Sequence, residues 1–275
     1  MKIGIIRIDR MGDMILTLPI IKAIKLSNPS SIIHVFCSNK NFKIIENFKY
    51  IDKIYNSDHK LKKNNNNYDY IFNFSPGWKS FKICLKLKTK YNSSLLLSSR
   101  YKKTIYSKLL TLFIHKLFFS ESLFVNRIKR FNKKKSLHQT NIMFELIGKS
   151  NIKFEKDISI EKYLIKSRKI MSKKKICLIH LSSKWVNEYY NEENLIKLIN
   201  ILNEKFNLIL TTDETTSSKF VSILKTFPKI NNQKFDEFNT LENITILENL
   251  DFKNWVQAIY SSDLVITPEC GCTHI

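Results

Sequence analysis

The sequence predicts an α/β protein of two domains, each built on a parallel sheet, and three observations carry that prediction. Short runs such as "KIGIIRI", "SIIHVFCS" and "NLILTT" are apolar nearly throughout, as strands covered by helices on both faces must be. Segments with apolar residues at helical spacing separate them. The alternation then stops in a long charged stretch, residues 152–175, and starts again.

The elements follow in order. Residues 2–8 are the first strand, and "MILTLPIIKAIKLS" (14–27) is helical, with Leu18, Ile21 and Ile24 on one face. Pro19 must stand in the first turn of that helix or kink it. Residues 31–38 are a strand and "FKIIENF" (42–48) a short helix. "KLKKNNNNYD" (60–69) is a low-complexity polar loop. "YDYIFNFS" (68–75) is a strand, followed by a helix near 78–88 and a strand at "SSLLL" (93–97). Residues 100–150 are expected to run helix, basic turn, helix. The second half opens with the strand "ICLIHLSS" and the helix "EENLIKLINILNEKF", then the strand "NLILTT" and the helix "SSKFVSILKTF". "NITIL", "KNWVQAIYSS" and "DLVITP" complete it as strand, helix, strand. The expected domains are 1–158 and 159–275. This is a duplication of architecture without a sequence repeat.

Composition bounds what such a protein does. With 275 residues, 43% of them apolar, and only 5 Gly and 5 Pro, the chain fills real cores and is neither fibrous nor disordered. A formal charge of +22 implies attraction to polyanions: nucleic acid, anionic lipid or a phosphorylated ligand. Lys, Asn and Ile are abundant everywhere, which points partly to compositional drift. Cys37, Cys84 and Cys177 fall in apolar runs, and Cys270-x-Cys272 lacks matching ligands for zinc, so a reduced, cytosolic compartment is expected. Arg7, Asp9 and Arg10 interrupt the apolar start, so it is no signal peptide. Residues 109–125 are the most apolar window, but Lys116 and Glu121 inside it argue against a membrane span.

In open parallel sheets ligands bind beyond the carboxyl ends of the strands, and three loops there carry candidate chemistry. Gly12-Asp13 follows the first strand. Gly12 allows close backbone approach or a positive φ, and Asp13 either caps a helix or serves as a general base for a hydroxyl. "IHLSSKW" (179–185) offers the hydroxyls and N–H groups of Ser182 and Ser183, which are either phosphate donors or turn formers; His180 reads as a polar residue at a strand end. "ITPECGCTHI" (266–275) places Gly271 and His274 where a helix should begin, a setting suited to a diphosphate.

Taken together these blocks resemble family 9 glycosyltransferases, the ADP-heptose:lipopolysaccharide heptosyltransferase group. Gly12, Asp13, Thr17 and Pro19 match its N-terminal signature; Asp69 and Ser80 match its next block. "LHQTNIMFELIGKSN", with His138 and Gly148, resembles its His-anchored helix, and "SSDLVITPECGCTHI" its x-Gly-x-x-His stretch. The resemblance covers essentially the whole chain. It implies the GT-B architecture, with two facing Rossmann-like domains and no metal or other cofactor. It implies transfer of a heptose or related sugar from a nucleotide-sugar donor, ADP-heptose-like, to lipopolysaccharide core or a lipid-linked glycan acceptor. Asp13 would be the base. Ser182, Ser183, Gly271 and His274 would contact the donor diphosphate, and Glu269 would fill the acidic position near the donor. The family's Lys ahead of Trp-Pro has no counterpart in "NEYYN" (187–191), where Lys184 is the nearest replacement charge, and Glu269 stands for the more frequent Asp. The chain stops at Ile275 where a helix is expected to continue, so the second domain is expected to be incomplete.

Residues 100–135 hold 11 Lys/Arg and one acid, Glu121, interleaved with aromatics. Ile105, Leu109, Phe113 and Leu117 fall on one helical stripe, which faces either the core or an anionic membrane. No nucleic-acid motif accompanies the charge, so nucleic acid is not the expected partner. The expected location is cytoplasmic, peripheral at the inner membrane. The competing expectations are a catalytically impaired protein that binds a nucleotide-sugar or lipopolysaccharide core, and a basic polyanion-binding protein.

Overall fold

The structure, a computed structural model, describes residues 1–57, 67–97, 105–125, 138–159, 170–212, 220–268 and 270–275. The chain divides into two compact units, Met1–Ile160 and Glu161–Ile275, each with its own parallel sheet.

Unit 1 grows outward from β1 (Lys2–Arg7), whose Ile3, Ile5 and Ile6 are wholly buried. On one side lie β2 (Ile32–Cys37) and β3 (Lys53–Asn56); on the other lie β4 (Asn67–Asn73), β5 (Lys88–Leu97) and β6 (Glu121–Val125). Every pairing in the order β3-β2-β1-β4-β5-β6 is parallel. Gly4 lets β1 pass the ring of Tyr68, where a Cβ would come within 3.3 Å of the ring. The carboxylate of Asp69 accepts from Lys2 N, the first N–H of β1, at 2.8 Å, and that of Asp52 accepts from Ile33 N, the second N–H of β2, at 2.7 Å. Asp69 therefore acts at the amino end of the sheet, away from the loops that follow the strands.

Two helices replace the single one expected at 14–27. Here α1 (Met11–Ile15) begins early enough to contain Gly12 and Asp13, and α2 (Leu18–Ser27) restarts with Pro19 in its first turn. A proline is tolerated there because its missing N–H would have no helical partner anyway. Then come α3 (Asn39–Ile45), α4 (Trp78–Lys86), α5 (Ile105–Phe118) and α6 (Gln139–Gly148). Strand β6 interrupts the helix–turn–helix order expected for residues 100–150. It is a short edge strand with polar residues at its start, so it lacks the apolar signature of a central one. The stripe of Leu109, Phe113 and Leu117 faces outward, not into the core. The basic turn at 126–137 and most of the polar loop at 60–69 lie outside the described residues.

Unit 2 repeats the plan with β8 (Ile176–His180), β9 (Asn207–Thr212), β10 (Lys229–Asn231), β12 (Ile244–Glu248) and β13 (Leu264–Ile266) in the order β10-β12-β9-β8-β13. A small parallel ribbon joins β7 (Met171–Ser172) to β11 (Thr240–Leu241). Helices α7 (Glu192–Lys205), α8 (Val221–Thr226) and α9 (Phe252–Tyr260) accompany the sheet. Cys177, Ile179, Leu195, Ile199, Leu208 and Phe220 are buried together in its core.

Both sheets have a point where the strand order reverses. In unit 1 the chain moves from β1 to β2 and β3, then returns to place β4 on the other side of β1. In unit 2 it moves from β8 to β9 and beyond, then returns to place β13 on the other side of β8. At such a point the loops from neighbouring strands diverge and leave a crevice.

Candidate functional site

The reversal point of unit 1 is organised by a buried arginine. Arg7, the last residue of β1, is wholly buried. A buried guanidinium must find partners for its fork of donors, since an unpaired buried charge is very costly. Arg7 finds them in the two neighbouring loops. Its Nη1 donates to the carbonyl oxygen of Phe74, just past β4. Its Nε donates to the carbonyl oxygen of Asp13 at 3.0 Å, and Nη2 stands 3.0 Å from Asp13 Oδ1. Asp9 Oδ2 lies 3.6 Å from Nη1. Asn41, buried on α3, donates through Nδ2 to the carbonyl oxygens of Arg7 and Asp9 at 3.3 and 3.1 Å. Ile8 N donates to Ser75 Oγ at 2.8 Å and closes the crevice floor.

Asp13 sits above this arginine. Its Oδ1 also accepts from Gln139 Nε2 at 3.2 Å, and its Oδ2 from Arg10 N at 3.4 Å. The last bond closes a capping box on α1, so the capping role is present. The ion pair with a wholly buried arginine goes beyond what a cap requires. About 20% of the Asp13 side chain stays accessible. Gly12 has ordinary helical backbone, because no glycine among the described residues has a positive φ. Thr17, buried, donates through Oγ1 to the carbonyl oxygen of Asp13 at 2.8 Å and fixes the turn from below.

Arg7 and Gln139 are not singled out by the sequence, and neither are Asp9 and Asn41. Arg7 reads there only as a charge at the end of an apolar run; the signal was its place as the last residue of an otherwise buried strand. Gln139 is masked by its neighbour His138, which stands exposed ahead of α6. Thr140 Oγ1 donates to the carbonyl oxygen of Leu16 at 3.2 Å, and so α6 is tied to the α1–α2 break. Ser80 is wholly buried and bonds the carbonyl oxygens of Ser75 and Gly77, so it shapes the loop after β4 and does not face a ligand.

Unit 2 presents a different surface at its reversal point. The loops after β8 and β13 leave the same edge of the sheet from neighbouring parallel strands, with Ile266 paired to Ile179. The loop carrying Ser182, Ser183 and Lys184 and the loop carrying Gly271 and His274 thus start from the carboxyl ends of neighbouring parallel strands. Ser182 Oγ accepts from Lys184 N at 3.4 Å in a tight turn, and a single π turn, Trp185–Tyr189, precedes α7. Gly271–His274 form one turn of 3-10 helix where a helix start was expected. Glu269 lies outside the described residues. His180 is buried, with Nδ1 3.0 Å from Thr211 Oγ1 and its ring 5.3 Å from that of Trp255. It belongs to the core. Among the described residues no group of three or more His, Cys, Asp or Glu stands close enough to hold a metal ion.

No protein-family model matches the sequence, and no curated protein matches it. Solved structures do. The chain is similar over 99% of its length, and 77% of the other chain, to a family 9 glycosyl transferase from Veillonella parvula, at 13% identity and a TM-score of 0.69. The E. coli heptosyltransferase WaaC, solved with ADP, is similar over 100% of this chain and 83% of its own, at 14% identity and a TM-score of 0.70. E. coli ADP-heptose lps heptosyltransferase II is similar over 98% and 80%, at 10% identity and a TM-score of 0.58. The fold is that of the family 9 glycosyltransferases. The two Rossmann-like parallel sheets expected from the sequence are those of the GT-B class.

Proposed function

We propose that the chain is an inverting glycosyltransferase that moves a heptose or related sugar from a nucleotide-sugar donor to lipopolysaccharide core or a similar lipid-linked glycan. The observation that carries this is the Asp13 carboxylate, held at a sheet reversal point by a buried arginine and still accessible. Asp13 takes the proton of an acceptor hydroxyl as its oxygen attacks the anomeric carbon. The bond from that carbon to the diphosphate breaks with the electron pair leaving on phosphate. Ser182, Ser183, Gly271 and His274 hold the diphosphate as it gathers charge, with Lys184 adding a cation and Glu269 beside the donor sugar. WaaC was solved with ADP, which favours an ADP-linked donor here. The protein works at the cytoplasmic face of the inner membrane in this proposal. Its charge of +22 suits a phosphorylated acceptor, and among the described residues no helix is long and apolar enough to cross a membrane.

One observation favours a catalytically impaired binding protein instead. Asp13 Oδ1 already accepts from Gln139 and faces Arg7, and Oδ2 accepts from Arg10, so the carboxylate is well satisfied before any substrate arrives. A single comparison separates the two. The wild-type chain, given ADP-heptose and a heptose-deficient core acceptor, transfers sugar. Asp13→Asn loses about 10²–10⁴-fold in turnover while ADP affinity stays within about twofold. Donor binding by both proteins with no transfer by either supports the impaired binder. Equal loss of affinity and turnover returns Asp13 to capping alone.

A further inference from the structure

Helix α5 has its polarity reversed. Thr111 and His115, one turn apart, are buried, and the ring of His115 lies 5.0 Å from Phe119 and 5.7 Å from Phe81. Apart from Ile114, which packs against the core, most of the apolar residues described on α5 point the other way: Leu110 is 60% exposed, Phe113 61% and Leu117 65%. A helix on a water-exposed surface buries its apolar stripe and shows its polar one. The surface continues onto α4, which packs against α5 through Phe81 and Phe118 at 5.6 Å and exposes Trp78 and Leu85. Neither helix contains a carboxylate, while Lys82, Lys86 and Lys116 stand exposed among the apolar side chains.

We infer that the α4–α5 face docks on an anionic lipid surface, with the apolar side chains of α5 entering the head-group layer and the lysines meeting lipid phosphates. Charge decides the occupant. Two copies of this face would set lysine against lysine with no acid to meet it, whereas anionic head groups complement both parts. At 14 residues α5 is too short to span a bilayer and long enough to lie in its plane. In sequence, residues 98–104 and 126–137 on either side add nine Lys/Arg and no acid. The inference deepens the peripheral placement proposed above without resting on the transfer chemistry, since a chain that moves no sugar would still bind such a surface.

The test is co-sedimentation of the full chain with vesicles of phosphatidylglycerol and phosphatidylcholine in equal parts, set against phosphatidylcholine alone. The chain is expected to bind the anionic vesicles about tenfold more tightly. Leu110→Asp combined with Phe113→Asp is expected to lower that binding about tenfold or more, with an unchanged circular dichroism spectrum because both side chains are exposed. Three results overturn the inference: no binding to anionic vesicles, equal binding by wild type and variant, or equal binding to neutral vesicles. Concentration-dependent dimers that the double substitution abolishes, without vesicle binding, would make the face a contact between copies and overturn it too. Failure here leaves the sugar-transfer assay untouched, and failure of that assay leaves vesicle binding untouched.

Discussion

In unit 1 the chain reverses strand order around β1 and β4 and lines that point with Arg7, Asp9, Asp13 and Gln139. In unit 2 it reverses around β8 and β13, and the loops that follow those strands carry Ser182, Ser183, Gly271 and Thr273. Below these points the two sheets use the same devices. Asp69 in unit 1 holds the first N–H of β1, and Asp263 in unit 2 holds the first N–H of β8, each at 2.8 Å. One plan thus carries two kinds of loop: buried, paired charge after the strands of unit 1, and half-exposed turn residues after those of unit 2. The first must be assembled by burying ions, so it is coupled to stability. The second is made from turn residues and is almost independent of it.

Replacing the same kind of side chain in both places should expose that difference, and this is the largest effect expected. Arg7→Met leaves Asp13 and Asp9 without their buried cation and should destabilise unit 1 by about 3–5 kcal/mol. Lys184→Met, in the half-exposed loop after β8, should change the stability of unit 2 by less than about 0.5 kcal/mol. Urea unfolding followed by hydrogen exchange of peptides from each unit reads both numbers. Equal effects would remove the distinction between the two reversal points.

Why the sequence showed some of this and hid the rest follows from the same physics. Central strands such as β1 and β9 are buried on both faces, so their apolar runs identify them without help from the fold. Edge strands β3 and β6 are half solvated and short, and nothing in Lys-Ile-Tyr-Asn or Glu-Ser-Leu distinguishes them from loop. The periodicity of α5 was legible but its direction was not, because a helical stripe looks the same whether it faces a core or a membrane. Asp13 was legible as a carboxylate beside a glycine after a strand. Arg7 was not, because hydropathy assigns an arginine to the surface and only the converging loops make it a buried one.

The next effect in size is acid sensitivity, and it falls on unit 1. Burial, with a smaller push from Lys2 and Lys53, lowers the His34 pKa from 6.5 to about 4; burial alone does the same for His115. For each, the unfolded chain binds a proton more readily than the folded one below pH 6.5, so stability is complete above that value and falls as pH drops toward 4. The slope reaches about 1.4 kcal/mol per pH unit for each histidine. Asp157, held down to about 2 by its bond from Lys22, weakens the fold only below the ordinary carboxylate range near 3.8. Melting unit 1 across pH 7 to 4.5 should show the loss, and His34→Phe should remove about half of it. A melting temperature flat over that window would show that neither histidine is held neutral by the fold.

The smallest effect tests the neutral side of the comparison. Ser183 lies half-exposed in the loop after β8, where its backbone oxygen accepts from Asn187 N at 3.2 Å. That bond does not need the hydroxyl, so Ser183→Ala should alter stability by less than about 0.5 kcal/mol. If the hydroxyl donates to a diphosphate, its removal should weaken ADP binding by about 1 kcal/mol, near fivefold, by titration calorimetry. Asp13→Asn in the other unit should leave that affinity unchanged, because in the proposed reaction its carboxylate meets the acceptor and not the leaving group. Should Ser183→Ala bind ADP as wild type does while Asp13→Asn binds it less well, the assignment of donor and acceptor to the two sheets would have to be exchanged.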